Sequence, residues 1–211
     1  MSDLVTTRAA LRALYDPVRE RSAKKEMPEL DAHATRLIGL APFLVVASAN
    51  TAGETDASPR GGTPGFVKVL DPHTLVLPDS PGNNRLDTLE NIVSHGEPGA
   101  PVGLLFLVPG LDETLRVNGR AWLSADEALR QMAAEPQRIP KLVMRVQVQS
   151  CYLHCAKSLM RARLWDASAQ IDRASLPSMT EMMRDQIRQF RGGEVAAETQ
   201  AEVVARNRQM L

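Results

Sequence analysis

The chain has 211 residues, with 25 Lys and Arg against 25 Asp and Glu, and it is 44% hydrophobic. This balance is typical of a globular protein with one sizeable core, and the neutral charge does not favour nucleic acid or an anionic membrane as a partner. No apolar run approaches the roughly 20 residues that span a bilayer, no secretory leader opens the sequence, and two cysteines fit a reducing compartment. We therefore expect a cytoplasmic protein with no nucleic-acid or membrane partner.

Hydrophobic periodicity divides the chain into a helical start, a strand-rich middle and a helical end. We predict one domain over residues 1–211, with helices in 1–41, a barrel core in 42–153 and helices again in 154–211. About six short strands joined mostly by tight turns favour a mainly β, α+β antiparallel barrel with flanking helices. The predicted strands are PFLVVASAN, GFVKVL, HTLVLPD, VGLLFLVPG, DETLRVNGRAWLS and KLVMRVQVQSCYL.

The stretch LPDSPGNNRLDTLENI, residues 77–92, places two amides and a guanidinium where a predicted strand runs into a predicted helix. A helix N-terminus binds anions through unpaired backbone N–H groups, and Asn83, Asn84 and Arg85 add side-chain donors there. In the alternative interpretation, the asparagines only cap the helix and Arg85 is solvated.

A second basic group precedes the same helix in SPRGGTPGFVKVL, residues 58–70. Ser58, Arg60 and Lys68 fall on the predicted strand pair, so they would lie at the same end of the sheet as the helix start. Converging donors from two segments suit a phosphate monoester, which carries nearly two negative charges. Alternatively, Arg60 and Lys68 form an exposed barrel rim.

Several ordered blocks, including DASPRGG, GFVKVLDPHTLVLPDSPGNNRLDTLENI, VGLLFLVPGLDETLRVNGRA and YLHCAKSLMRARLW, resemble the pyridoxamine-5′-phosphate-oxidase-like FMN-binding split-barrel flavoproteins. The blocks are most similar to a bacterial branch of FMN-dependent enzymes within that superfamily. The resemblance implies a six-stranded split barrel, a homodimer and one FMN in each of two clefts between subunits. The polar, helical C-terminus lacks the Trp-rich, Arg-containing segment of the true oxidases, so pyridoxamine phosphate is a poor candidate substrate.

The resemblance also implies cofactor contacts for each block. Ser58, Arg60 and Lys68 would approach the FMN phosphate and ribityl chain, while Asn84 and Arg85 would clamp the phosphate. The remaining implied contacts are Leu77 and Pro78 beside the flavin ring, Thr114 and Arg116 from the partner subunit, and Lys157, Arg161 and Trp165 of the branch-specific block.

Spacing supports two of these sets independently of the resemblance. Lys157 and Arg161 are four apart and share a helix face, and Thr114 and Arg116 share the polar face of a strand, which a solvated outer face would explain equally well. No set of residues predicts a metal site or a convincing acid–base pair, so the catalytic residues stay unknown. His154 is expected to contribute only to local packing.

Two functions follow as hypotheses. The first is an FMN-dependent oxidoreductase acting on an unidentified small molecule, in which the flavin performs the redox chemistry. The second is a non-catalytic protein that binds flavin or an anionic ligand such as haem, because fold alone does not decide function.

Overall fold

The computed structural model describes residues 4–136 and 138–208. The chain divides into two compact units, of which the first ends at residue 162 and the second begins at residue 163. The first unit begins with helices α1 (Arg8–Ala13), α2 (Glu20–Lys24) and α3 (Ala32–Leu40). Asp31 starts α3 by accepting a 2.7 Å hydrogen bond from the Ala34 amide. Such caps satisfy amides that have no partner within the helix. The predicted helical start of the chain is therefore present.

The centre of the first unit is a seven-stranded sheet whose paired strands are all antiparallel. In space the strands follow the order β2-β1-β5-β6-β7-β4-β3, so the described ladder ends at β2 and β3. The mainly antiparallel architecture with flanking helices is as expected, but the count of six strands was wrong. The strands are β1 (Phe43–Ala49), β2 (Thr55–Gly61), β3 (Lys68–Asp71), β4 (Thr74–Pro78), β5 (Ala100–Leu107), β6 (Thr114–Ser124) and β7 (Val143–His154).

The strand without a predicted range of its own is β2, TDASPRG, although Ser58 and Arg60 were expected on a strand pair. It contains almost no strand-favouring residues. It forms a hairpin with β1, in which Arg60 pairs with Leu44 and Pro59 with Val45. Proline cannot donate a ladder hydrogen bond, but β2 pairs only with β1, so its other side needs no partner. Its place at the end of the ladder, rather than its composition, makes this segment a strand.

Alternate residues of β1, β5 and β6 form the core. Leu44, Val46, Phe106, Leu115 and Val117 are all fully buried, as their period-2 spacing predicts. On the other face of these strands, residues such as Val45, Ala47 and Leu105 keep part of their surface exposed. The sheet thus has one sealed face and one partly apolar outer face.

Helix α4 (Asp87–Ser94) packs on this sheet and is fixed by polar contacts. The Asp56 carboxylate accepts hydrogen bonds from Ser58 Oγ at 2.8 Å and Thr88 Oγ1 at 2.5 Å. Asn91 Nδ2 donates to Ser48 Oγ at 3.0 Å within the buried interface. These bonds tie the helix to β1 and β2 and fix the start of α4 near the beginning of β2.

The remaining helices of the first unit are α5 (Glu127–Met132) and α6 (Lys157–Ala162). The second unit holds α7 (Met179–Phe190) and α8 (Gln200–Arg208), with a capping box between Ser178 and Glu181. The assignment of both units to one domain stays a prediction. Across the described residues, no helix combines the length and apolar character needed to cross a membrane.

Candidate functional site

A cleft of about 480 Å³ opens between the end of β2, the loop that leads into α4 and the connection that leads into β7. We name it the basic cleft, because four cationic side chains line it against one carboxylate, Asp79. The sequence-predicted residues Arg60, Asn84 and Arg85 all lie in its wall. The other two cationic residues, Arg138 and Lys141, were not predicted.

The loop before α4 has a different conformation from the predicted one. Asn83 Oδ1 accepts a 2.9 Å hydrogen bond from the Arg85 amide, and Asn84 adopts a left-handed backbone with φ of 59°. Asparagine tolerates this conformation better than most residues. Helix α4 consequently starts at Asp87, with Leu86 at the N-cap position and no side-chain cap. The expectation that Asn83 and Asn84 cap the helix was therefore wrong, while their role as anion donors from the preceding loop stays a prediction.

Arg85 contributes positive charge at the edge of the basic cleft. Its Nε donates to Asp87 Oδ2 at 2.6 Å, and this bond raises the pKa of the guanidinium. Among the described residues its terminal nitrogens have no hydrogen-bond partner. Because α4 carries Asp87 and Glu90 in its first turn, carboxylates already neutralise much of the helix dipole. Anion binding at this cleft therefore depends on side-chain cations more than on the helix terminus.

Arg138 and Lys141 reach the basic cleft through long-range pairing. The Asp79 amide donates to Leu142 O at 3.0 Å, and Pro78 pairs with Val143, so the start of β7 lies beside the end of β4. Arg138 donates a hydrogen bond from Nη2 to the Glu135 carboxylate. Its Nε is buried and makes no hydrogen bond within residues 4–136 and 138–208. No local motif marks this segment, because the relevant neighbours lie about 60 residues away in sequence.

Leu77 and Pro78 are buried in β4 and line a crevice of about 10 Å³ that shares Arg60 with the basic cleft. Two residues predicted to approach the FMN phosphate, Ser58 and Lys68, line neither the basic cleft nor this crevice. Ser58 is bonded to Asp56, and Lys68 Nζ donates to Gly65 O at 2.8 Å. The structure therefore joins the predicted arginine pair but does not bring Ser58 and Lys68 to it.

A second cleft, of about 360 Å³, lies on the outer face of the sheet, and we name it the outer-face cleft. Its floor is apolar and includes Val45, Ala47 and Leu105, while β6, β7 and α6 supply polar groups around it. The polar lining residues are Thr114, Arg116, Asn118, His154 and Ser158. This cleft contains the predicted Thr114–Arg116 pair.

Arg116 lies with its guanidinium carbon 5.3 Å from the centre of the Tyr152 ring, a cation–π contact that orients it. Thr114 pairs with His154 at the end of the β6–β7 ladder. His154 was expected to start a helix, but ladder pairing extends β7 through this residue and α6 starts only at Lys157. The Nδ1 atom of His154 is buried and makes no hydrogen bond to any residue that the structure describes.

Lys157 and Arg161, from the block typical of the bacterial branch, lie in α6. In α6, Arg161 Nε donates to the Lys157 carbonyl at 3.1 Å, so the arginine folds back along its own helix. Neither residue lines the basic or the outer-face cleft. Trp165 belongs to the second unit. The cofactor contacts of Lys157, Arg161 and Trp165 stay a prediction.

The two clefts border each other at the β1–β2 hairpin. Pro59, in the wall of the basic cleft, pairs with Val45, in the floor of the outer-face cleft. Only the β4 wall of the basic cleft is distant from Thr114 and His154 along the strands, because Pro78 pairs with Val143 at the opposite end of the β6–β7 ladder.

The two cysteines differ in their exposure to solvent. Cys151 is buried and donates to Glu29 O at 3.0 Å, and burial raises the pKa of its thiol, while Cys155 is exposed. We expect a disulfide reagent near pH 8 to modify Cys155 rapidly and Cys151 only after denaturation, because the thiolate is the reactive species. Thiol titration with and without denaturant measures both; two equally fast native thiols would contradict this assignment. In residues 4–136 and 138–208, no cluster of three or more His, Cys, Asp and Glu is placed to hold a metal.

A sequence profile described as pyridoxamine 5′-phosphate oxidase matches residues 30–155, more than half of the chain. The chain belongs to the pyridoxamine 5′-phosphate oxidase family. The match begins just before α3 and ends just after β7, so it contains the whole sheet and the basic cleft, while Ser158 and Leu159 of the outer-face cleft lie beyond it. No curated protein sequence matches the chain significantly.

Solved structures with a similar fold include HupZ from Group A Streptococcus, at 18% identity and a TM-score of 0.47, covering 59% of this chain and 93% of that one. An FMN-binding protein from Syntrophomonas wolfei subsp. wolfei has 13% identity and a TM-score of 0.40, with 58% and 84% covered. A FAD binding protein from Mycobacterium smegmatis has 14% identity and a TM-score of 0.41, with 61% and 97% covered. We draw no functional argument from similarities this distant.

Proposed function

We propose that the protein is an FMN-dependent oxidoreductase of the pyridoxamine 5′-phosphate oxidase family that acts on a small molecule. The observation that carries the proposal is the basic cleft, in which Arg60 and Arg85 come together with two further cations. Planar guanidinium groups suit phosphate oxygens. A ligand with a phosphate monoester matches the cationic lining of this cleft.

The donor set fits FMN at the phosphate end. Arg85 binds Asp87 through Nε, so its terminal nitrogens would serve the ligand, and Arg138 and Lys141 add positive charge to the same wall. Charge-assisted hydrogen bonds contribute about 1.5–3 kcal/mol each. Leu77 and Pro78 would lie beside the ring, and Asn84 would donate from the loop.

FMN, when bound, supplies the capacity to accept and release electrons, and the protein supplies position, electrostatics and exclusion of water. Arg60 and Arg85 would hold the phosphate, and the end of β4 would lie beside the ring. We assign no side chain the role of a dedicated acid or base.

We further propose that the active form is a homodimer. The outer-face cleft, with Thr114 and Arg116, would complete a flavin site at the interface with a second copy. The partly exposed apolar residues Val45, Ala47 and Leu105 suit such an interface.

Light scattering at micromolar concentration is expected to give about twice the 23.1 kDa chain mass. The same sample should contain stoichiometric FMN after reconstitution. A monomer that still binds FMN tightly would remove the inter-subunit site from the proposal.

Redox activity is tested by anaerobic reduction of the FMN-loaded protein with NAD(P)H, followed by air. Loss and rapid recovery of flavin absorbance, faster than for free FMN, is the expected result. Bound flavin that neither NAD(P)H nor a panel of small reductants reduces faster than free FMN would instead favour a flavin-binding protein without turnover.

A further inference from the structure

The three arginines of the basic cleft differ in how their guanidinium groups are held. Arg85 donates from Nε to Asp87 Oδ2 at 2.6 Å. Arg138 instead donates from its terminal nitrogen Nη2 to Glu135, and Arg60 donates from its terminal nitrogen Nη1 to a backbone carbonyl. Of the three, Arg85 is therefore held by a bond that leaves its terminal edge to a ligand.

Packing does not fix the Arg85 side chain, because 76% of it is exposed. A guanidinium binds phosphate most strongly when two of its N–H groups bond to two phosphate oxygens. An arginine that the ligand must first order loses part of this gain as side-chain entropy. The bond from Nε to Asp87 restricts the guanidinium before a ligand binds, and it therefore lowers this cost.

The Asp87 carboxylate belongs to a backbone segment that the sheet holds in place. Asp87 is the first residue of α4, and the next residue, Thr88, is buried and donates to Asp56 Oδ2 of β2 at 2.5 Å. On the preceding side, Asn83 Oδ1 accepts a 2.9 Å hydrogen bond from the Arg85 amide. Both the backbone and the guanidinium of Arg85 are thus restrained by neighbours that do not depend on a ligand.

We propose that Asp87 is a positioning residue of the basic cleft, which accepts the Nε–H of Arg85 and so directs the two terminal nitrogens of that arginine toward the phosphate. This inference rests on the proposed function, and it adds a residue that the sequence did not single out. A carboxylate beside the site also repels a phosphate. The hydrogen bond and the charge of Asp87 therefore act on FMN affinity in opposite directions.

Asp87→Asn and Asp87→Ala separate these two effects, because both remove the charge and only the asparagine keeps an oxygen that can accept the Nε–H bond. We expect Asp87→Asn to bind FMN about 3- to 10-fold more tightly than Asp87→Ala, the range for ordering one long side chain. Riboflavin, which lacks the phosphate, should bind the two variants equally. Quenching of flavin fluorescence measures the four affinities. Both variants should melt near the wild-type temperature, because exposed ion pairs contribute little to stability.

The difference between the two variants should require Arg85. When Asp87→Asn and Asp87→Ala are each made in the Arg85→Ala protein, they should bind FMN equally, because the guanidinium that Asp87 orients is absent. Glu90→Gln and Glu90→Ala form the matched control pair. Glu90 is an exposed carboxylate in the same first turn of α4, and it forms no ion pair with a residue that the structure describes. These two control variants should also bind FMN equally.

The outcomes separate this inference from the proposed function. Equal FMN affinity of Asp87→Asn and Asp87→Ala would mean that Asp87 acts through its charge alone, and only the inference would fail. A difference that persists in the Arg85→Ala protein, or that extends equally to riboflavin, would assign Asp87 to the general structure of the loop and also overturn the inference. If the wild type does not prefer FMN to riboflavin, the proposed function fails, and the inference with it.

Discussion

Replacing Arg60 and Arg85 together by alanine is expected to weaken FMN binding by about 10²- to 10⁴-fold. Two charge-assisted hydrogen bonds of roughly 1.5–3 kcal/mol each are lost, and each 1.4 kcal/mol corresponds to a factor of ten. Turnover should fall with flavin occupancy and recover partly in excess FMN. Equilibrium dialysis against FMN measures the loss directly.

The matched control is Arg21→Ala with Arg36→Ala, which removes two exposed cations from helices α2 and α3 outside the basic cleft. It changes the net charge equally and should leave FMN affinity within about twofold of the wild type, since exposed charges are screened beyond roughly 10 Å. Equal losses in both double variants would indicate a general charge effect and would remove the basic cleft from the account.

Gly119→Ala is expected to destabilise the fold by on the order of 3 kcal/mol or to prevent folding. A Cβ at this position would lie 2.1 Å from the carbonyl oxygen of Gln147, where the β6–β7 register shifts between residues 118 and 119. Relief requires movement of backbone in the two longest strands. Urea unfolding followed by circular dichroism measures the change.

Gly39→Ala is the control for this substitution, because nothing lies within 4 Å of a Cβ on this α3 residue. It should stabilise the protein by up to about 1 kcal/mol, the difference in helix propensity between glycine and alanine. If Gly119→Ala unfolded at the wild-type urea concentration, the close strand contact at the bulge would be wrong.

Much of the fold follows from local pattern. Alternating burial in β1, β5 and β6 places Leu44, Phe106 and Val117 in the core, as their spacing predicts. The pattern fails at β2 because the strand status of TDASPRG depends on its edge position, which is a property of the sheet. It also fails at His154, where pairing with Thr114 overrides the predicted helix start.

The candidate site was predictable where sequence neighbours are also neighbours in space. Asn84 and Arg85 follow β4, which leads to the cleft, and Arg60 lies near the end of β2, two strands earlier. Arg138 and Lys141 depend on the contact between Asp79 and Leu142, which no local signal predicts. Lys68 has the expected charge but donates to Gly65, and such competing partners become visible only in the structure.

The most direct test of the central claim compares FMN and riboflavin in the wild type and in Arg85→Ala, using quenching of flavin fluorescence. The two ligands share the ring and ribityl chain and differ in the phosphate. We expect the wild type to prefer FMN, and Arg85→Ala to weaken FMN by about 10- to 100-fold while leaving riboflavin unchanged. Equal affinity of the wild type for both flavins, or an equal loss of both in Arg85→Ala, would contradict a phosphate site in the basic cleft.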